Sequence, residues 1–159
     1  MKSSNELVII GRAEHVGFPA LGLLNIPAKT DTGAKTSAIW ASGIIEDHGV
    51  LRCVLFGPDS KLYSGEILEF THYETRTVAS SIGEAEERYV VKLLVELKGK
   101  KIRANFTLAN RSEQAYPILL GRNVLRGKFV VDVKQGTPAK AAERARSAVL
   151  QNRLKRKEQ

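Results

Sequence analysis

Apolar residues in this chain recur in short runs with a period near two, separated by Gly, Pro, Asn, Asp and Ser, which is the pattern of half-buried β-strands. Such runs lie at residues 7–10, 26–30, 39–40 with their neighbours, 44–46, 50–56, 62–68, 75–78, 89–97, 102–108, 118–120 and 129–133. No long helical period precedes the C-terminal part, so the pattern predicts an all-β barrel or sandwich. The clearest hairpin is RYVVKLLVELKGKKIRANFTLA. Val91, Leu93, Val95 and Leu97 alternate with more polar neighbours, KGKK supplies a glycine turn, and Ile102, Ala104, Phe106 and Leu108 alternate on the return. Val90 and Leu94 add apolar side chains to the other face, so cover on both sides is expected near the hairpin's start. The polar stretch THYETRTVASSIGEAEERY reads as a surface loop or flap.

The character changes after VVDVKQG. Thr137 is placed to cap a helix with Pro138 at its first position, and AKAAERARSAVLQNRLKRK is rich in helix formers. Pro138, Ala141, Ala142, Ala145, Ala148 and Val149 form a weak apolar stripe, with a basic face opposite. Residues 1–136 are therefore read as the β domain and 137–159 as a basic helical tail. Such a tail docks on the body, frays into solvent, or meets an acidic partner such as RNA or the ribosome. Of the net charge of +8, seven Lys/Arg against two Glu place +5 in this tail. The body is an ordinary mixed surface, and its basicity alone does not argue for nucleic acid.

A chain of 159 residues can bury a core without disulfide or metal staples. Its single cysteine, Cys53, lies in the apolar stretch VLRCVLFG and reads as a buried, inert thiol. The N-terminal apolar run is too short for a signal peptide and no later stretch reaches membrane-span length, so a cytoplasmic protein with no membrane partner is expected.

The chain lacks HExxH, a Cys/His cluster, a GxxxxGK[ST] phosphate loop and a GxSxG elbow. No cofactor or metal is called for by any of its motifs. The remaining candidate is Asp31, at the end of a strand and followed by Thr32 and Gly33. Two such carboxylates within hydrogen-bonding range cannot both ionise and share one proton. One then activates water while the other donates to the substrate carbonyl. Gly33 leaves room for close backbone approach and offers its N–H to the carboxylate, and the Thr32 hydroxyl is placed to brace the loop. As a triplet, Asp-Thr-Gly is also a common turn.

A second stretch, YPILLGRNVLRGKFVVDV, has an apolar run ending in Gly121, then Arg122, a short helix from Asn123 and another strand. Together AKTDTGA and ILLGRNVL resemble the two signature segments of retropepsin-like aspartic proteases. The resemblance implies a closed retropepsin-like barrel with one catalytic Asp per chain, in which Leu119, Leu120 and Gly121 pass behind and support the loop of Asp31, Thr32, Gly33 and Ala34. Over about residues 6 to 134 the chain is similar to a family labelled ATP-dependent zinc proteases, associated with the ligase that adds glutamates to a small-subunit ribosomal protein. The other aspartates, Asp47, Asp59 and Asp132, are not followed by Thr/Ser-Gly, so this chemistry requires a homodimer.

The resemblance also implies an acidic, glutamyl peptide as substrate. Lys29, two residues before Asp31 on an extended strand, projects to the same side as Asp31 or leans into solvent. Lys29, Lys35, Arg88, Arg111 and Arg122 are candidates to bind a substrate carboxylate. Arg111 equally suits a structural salt bridge. Ser37 and Thr36 either line the site or satisfy loop backbone groups. Two rival readings are a noncatalytic peptide-binding barrel that dimerises, and a zinc peptidase true to the family label, its metal held by Asp31 and dispersed histidines.

Overall fold

The computed structural model describes residues 6–79 and 83–158. The leader reading of the first five residues, and residues 80–82 of the polar flap segment, fall outside them. The chain is mostly β, with eleven strands among the described residues: β1 (Val8–Ile10), β2 (Ala13–Phe18), β3 (Leu23–Thr30), β4 (Ser37–Asp47), β5 (Val50–Leu55), β6 (Ile67–Phe70), β7 (Glu74–Ala79), β8 (Ala85–Leu97), β9 (Lys100–Ala109), β10 (Ile118–Leu120) and β11 (Phe129–Val131). Among the described residues two α-helices, α1 (Arg122–Leu125) and α2 (Lys140–Lys157), and a 3-10 turn at Pro19–Leu21 complete it. The main sheet runs β10-β3-β2-β8-β9-β4-β5-β6, with β4 also pairing β10 and β7 pairing β8, while β1 and β11 form a separate parallel pair.

The expected β8–β9 hairpin forms, with Val91 opposite Phe106, Leu93 opposite Ala104 and Leu97 opposite Lys100, so that the return strand begins inside KGKK. Its two-residue turn places Lys98 and Gly99 at positive φ, 49° and 78°, as the right-handed twist of the flanking strands demands. Phe106 meets Phe18 edge to face in the middle of the core, and Cys53 is buried there as the apolar pattern anticipates.

Several expectations are corrected. The two runs at 39–40 and 44–46 are one strand, β4, interrupted by a register shift between Ser42 and Ile45 where Gly43 takes φ 58°. The run at 62–68 becomes a strand only from Ile67, because Gly65 turns at φ 76° just before it. The polar flap segment contains an ordered hairpin, since β7 pairs β8 from Glu74 opposite Val90 to Ala79 opposite Ala85. Strand β2 escapes the apolar pattern because it buries a carboxylate, Glu14, only 2% exposed. That carboxylate accepts the Gly11 N–H at 3.5 Å and lies 3.4 Å from the Lys98 ammonium.

Helix α2 begins at Lys140, with Ala139 as its N-cap and no side-chain cap. Thr137 lies two residues before that N-cap and does not cap the helix; its N–H instead ties the approach to the Ala13 carbonyl at 2.8 Å. Most of the predicted apolar stripe does not dock, as Ala141, Ala145, Ala148 and Val149 are exposed and only Pro138 and Ala142 are half-buried. The helix buries no residue. It is held by polar contacts: Arg12 to Glu143, Arg153 to Glu113, Arg146 to the Glu113 carbonyl, and the Ala139 N–H to the Tyr116 hydroxyl. Among the described residues no helix is long and apolar enough to cross a membrane.

Candidate active site

The site is built by inserting a three-residue strand between two longer ones. Strand β10 lies parallel to β3, with Leu119 opposite Lys29 and Leu120 opposite Thr30, and antiparallel to β4, with Ile118 opposite Ile39. The period-two alternation buries Ile118 and Leu120 completely and turns Leu119 outward. β3 ends at Thr30, whose hydroxyl donates to the Gly11 carbonyl at 2.9 Å, and residues 31–36 then cross over β10 to reach β4.

Backbone bonds hold this crossing on both sides. The Asp31 N–H donates to the Leu120 carbonyl at 2.9 Å, and the Arg122 N–H to the Ala34 carbonyl at 2.8 Å. Within the loop, Ala34 N–H reaches the Asp31 carbonyl at 3.2 Å and Gly33 N–H reaches Asp31 Oδ1 at 3.0 Å. Gly121 has ordinary extended backbone, so its φ is not the reason for glycine. A Cβ there would stand 2.7 Å from the Thr36 carbonyl carbon and oxygen. Glycine is what lets the two segments touch.

Ser37 is fully buried, so it does not contact substrate. Its hydroxyl accepts the Gly121 N–H at 2.9 Å and donates to Asn123 Oδ1 at 2.8 Å. Asn123 Oδ1 also accepts the Ser37 N–H, while its Nδ2 donates to the Asn105 carbonyl at 2.8 Å. Thr32 braces the loop through its carbonyl, which accepts from Arg122 at 3.1 Å, rather than through its hydroxyl. Asn123 is the supporting residue of the candidate site that sequence reasoning missed. Its only signal is a side-chain amide at the start of a helix that follows Leu-Leu-Gly.

Asp31 is half-buried and opens onto a cleft of about 690 Å³. Lys29, Arg88 and Arg111 line the same cleft, so Lys29 does share the side of Asp31. Lys35 and Arg122 lie apart from these, with Thr32, in a second depression of about 890 Å³ on the other side of the loop. Arg111 makes no salt bridge among the described residues; its Nε donates to the Tyr116 carbonyl at 2.9 Å. Burial, reinforced by the like charge of Arg88 and only partly offset by Asp31, pushes the Arg111 guanidinium down to about 10. Arg88 pairs with Glu86 at 3.2 Å while its Nε is buried without a partner.

A zinc centre does not fit these residues. Among the described residues no three His, Cys, Asp or Glu side chains come together to hold a metal, and His15, His48 and His72 are all exposed.

Residues 9–140 match the model of the RimB-like family, described as retropepsin-like aspartic endopeptidase RimB. The chain belongs to the RimB-like family. Similar proteins named "Probable alpha-L-glutamate ligase" occur in Shewanella pealeana, 34% identical over 143 residues, and in Parasynechococcus marenigrum, 31% identical over 129 residues. These matches cover 81% and 79% of this chain but 29% and 28% of the ligases. The chain thus spans less than a third of the length of the relatives it matches. The crystal structure of Lpg0085, a protein of unknown function from Legionella pneumophila, superposes with a TM-score of 0.59 at 29% identity, covering 82% of this chain and 97% of that one. The matched region stops at the first residue of α2, whose Glu143, Arg146 and Ser147 nonetheless line the cleft of Asp31.

Proposed function

We propose that this RimB-like chain is an aspartic peptidase that works as a homodimer and cleaves acidic, glutamyl peptides in the cytoplasm. The observation that carries the reading is a half-exposed carboxylate on a loop fixed by backbone bonds, at the mouth of a cleft lined by Lys29, Arg88 and Arg111. In the dimer, Asp31 of each protomer faces its mate and the pair shares one proton. The ionised member takes a proton from water, whose oxygen attacks the scissile carbonyl carbon. The protonated member donates to the carbonyl oxygen, and the resulting tetrahedral species collapses as the proton passes to the leaving nitrogen.

Two features support the oligomeric and architectural parts of this reading. The β1–β11 pair leaves Leu7, Ile9, Val130 and Val133 between 45% and 72% exposed, an apolar strip suited to a second copy. Strand pairings from β10 through β3, β2, β8, β9 and β4 lead back to β10, as a closed barrel requires. The name carried by the relatives, glutamate ligase, agrees with a substrate made of glutamates, and cationic side chains match its carboxylates. The basic end of α2, Lys155 to Lys157, is offered as the contact to a ribosomal or RNA partner.

The test is cleavage of an oligo-α-glutamate peptide by the wild type and by Asp31→Asn. Cleavage is expected to disappear in the variant while circular dichroism and melting temperature stay unchanged. Equal turnover by the variant rejects aspartic catalysis. A monomer that binds the peptide without cutting it supports the noncatalytic reading instead.

A further inference from the structure

The charges of the Asp31 cleft do not balance one another. Of its acidic residues besides Asp31, Glu86 pairs with Arg88, and Glu143 turns to Arg12, which lies outside the cleft. Lys29, Arg111 and Arg146 are left lining one cleft with no salt bridge among the described residues. The buried, unpartnered Arg88 Nε adds a donor with nothing to receive it. A buried donor left unpaired costs free energy that a ligand acceptor recovers.

Arg146 differs from the others in origin. It sits on α2, past residue 140 where the family match ends, yet it is half-buried against the cleft. One of its N–H groups donates to the Glu113 carbonyl, which fixes the guanidinium at the rim of the loop carrying Arg111. A guanidinium has five N–H donors, so most of its fork remains free for an anion. Its helix is steadied on either side of it by Arg12–Glu143 and Arg153–Glu113, which leaves Arg146 presented rather than searching.

We propose that Arg146 is a specificity-determining residue of this cleft, holding a carboxylate of an acidic peptide substrate. The inference rests on the peptidase reading above and deepens it: β3 and the Arg111 loop supply one set of cations, and α2 closes the cleft with another. An extended peptide directs alternate side chains to opposite sides at about 3.3 Å per residue. A run of glutamates therefore offers carboxylates to both walls at once, whereas a peptide with one acidic residue engages only one.

The experiment uses the full chain with Arg146→Gln and, as a charge-matched control on the exposed part of the same helix, Arg144→Gln. Binding of fluorescein-labelled hexa-α-glutamate is read by anisotropy in the Asp31→Asn background, and KM and kcat are read in the Asp31 form with acidic and neutral peptides. Loss of one charge-assisted hydrogen bond predicts that Arg146→Gln raises Kd and KM for hexaglutamate roughly tenfold. Its kcat and its KM for a neutral peptide stay unchanged, Arg146→Lys recovers part of the loss, and Arg144→Gln matches the parent. Unaltered binding in Arg146→Gln, an equal loss in Arg144→Gln, or a fall in kcat for both peptides overturns the role of Arg146 while leaving the peptidase standing. A parent protein that neither binds nor cleaves hexaglutamate overturns the acidic-substrate reading itself, and this inference with it.

Discussion

Gly121→Ala isolates what the close crossing of the two segments contributes. Its φ and ψ of −89° and −178° suit alanine, so the substitution carries no dihedral strain. The added Cβ would lie 2.7 Å from two backbone atoms of Thr36 and 3.0 Å from the Ala34 carbonyl oxygen. Backbone cannot swing aside as a side chain can, and relief to the 3.4 Å of ordinary contact requires the segments to part by about 0.7 Å. Such a shift stretches Arg122 N to Ala34 O, now 2.8 Å, and Gly121 N to Ser37 Oγ, now 2.9 Å, beyond hydrogen-bonding range. Two bonds at about 1 kcal/mol each, with about 1 kcal/mol or more of overpacking, give roughly 3 kcal/mol of destabilisation. At about 2–4 °C per kcal/mol for a chain of this size, the melting temperature should fall by about 6–12 °C. Gly22→Ala is the comparison: it sits at φ 66° with nothing within 4 Å of a Cβ, so it should cost only about 1 kcal/mol of left-handed strain. Calorimetry of both variants decides the matter. A shift below about 2 °C for Gly121→Ala, or one no larger than for Gly22→Ala, refutes the steric argument.

Two further predictions concern groups away from the carboxylate. Cys53 is 1% exposed and burial pushes its thiol up to about 11, so a disulfide reagent at pH 8 should label it only on unfolding in urea; native labelling within a factor of about ten of the unfolded rate contradicts this. Docking of α2 depends on Glu113, lowered by its hydrogen bond to Arg153, and on Glu143, lowered by its hydrogen bond to Arg12. A carboxyl depressed in the folded state contributes its stabilisation fully above the ordinary carboxylate range and loses it as pH falls through that range. Hydrogen exchange of residues 140–157, corrected for intrinsic rates, should therefore show the helix loosening between about pH 5 and 2, and at neutral pH in high salt. Constant protection across both changes rules out an electrostatic attachment.

The sequence was most legible where one face of a strand is apolar and the other is wet. That condition holds for β8 and β9, and their alternation and the glycine turn between them were readable. It fails for β2, where Glu14 is nearly as buried as the alanine before it and is compensated by the neighbouring Gly11 N–H and by the Lys98 ammonium, 84 residues away in sequence. No local pattern announces the Lys98 partner. The same reasoning separates the two parts of the site. Asp31 and Gly121 belong to motifs whose residue types are dictated by local chemistry, a carboxylate at a strand end and a missing Cβ at a crossing. Arg146 belongs to a helix whose attachment is a handful of ion pairs and hydrogen bonds with residues 33 to 131 positions away. Helical periodicity reported the helix, but of its weak apolar stripe only Pro138 and Ala142 turn toward the body.

The hydrogen-bond pattern around Asp31 also bears on the proposed pairing of two chains. A carboxylate can accept about four hydrogen bonds. Within the chain, Asp31 receives one, from the Gly33 N–H to Oδ1, and Oδ2 has no partner among the described residues. The loop's other donors are directed to main-chain oxygens: the Asp31 N–H to Leu120, the Ala34 N–H to Asp31 and the Arg122 N–H to Ala34. The scaffold thus holds the backbone of Asp31 firmly while leaving its second oxygen unengaged. A second Asp31 facing that oxygen would share its proton across the gap and complete the acid–base pair, with positioning already supplied by each chain separately. Rigid backbone and an under-coordinated carboxylate are what each half of such a dyad must bring, and neither needs the partner in order to form.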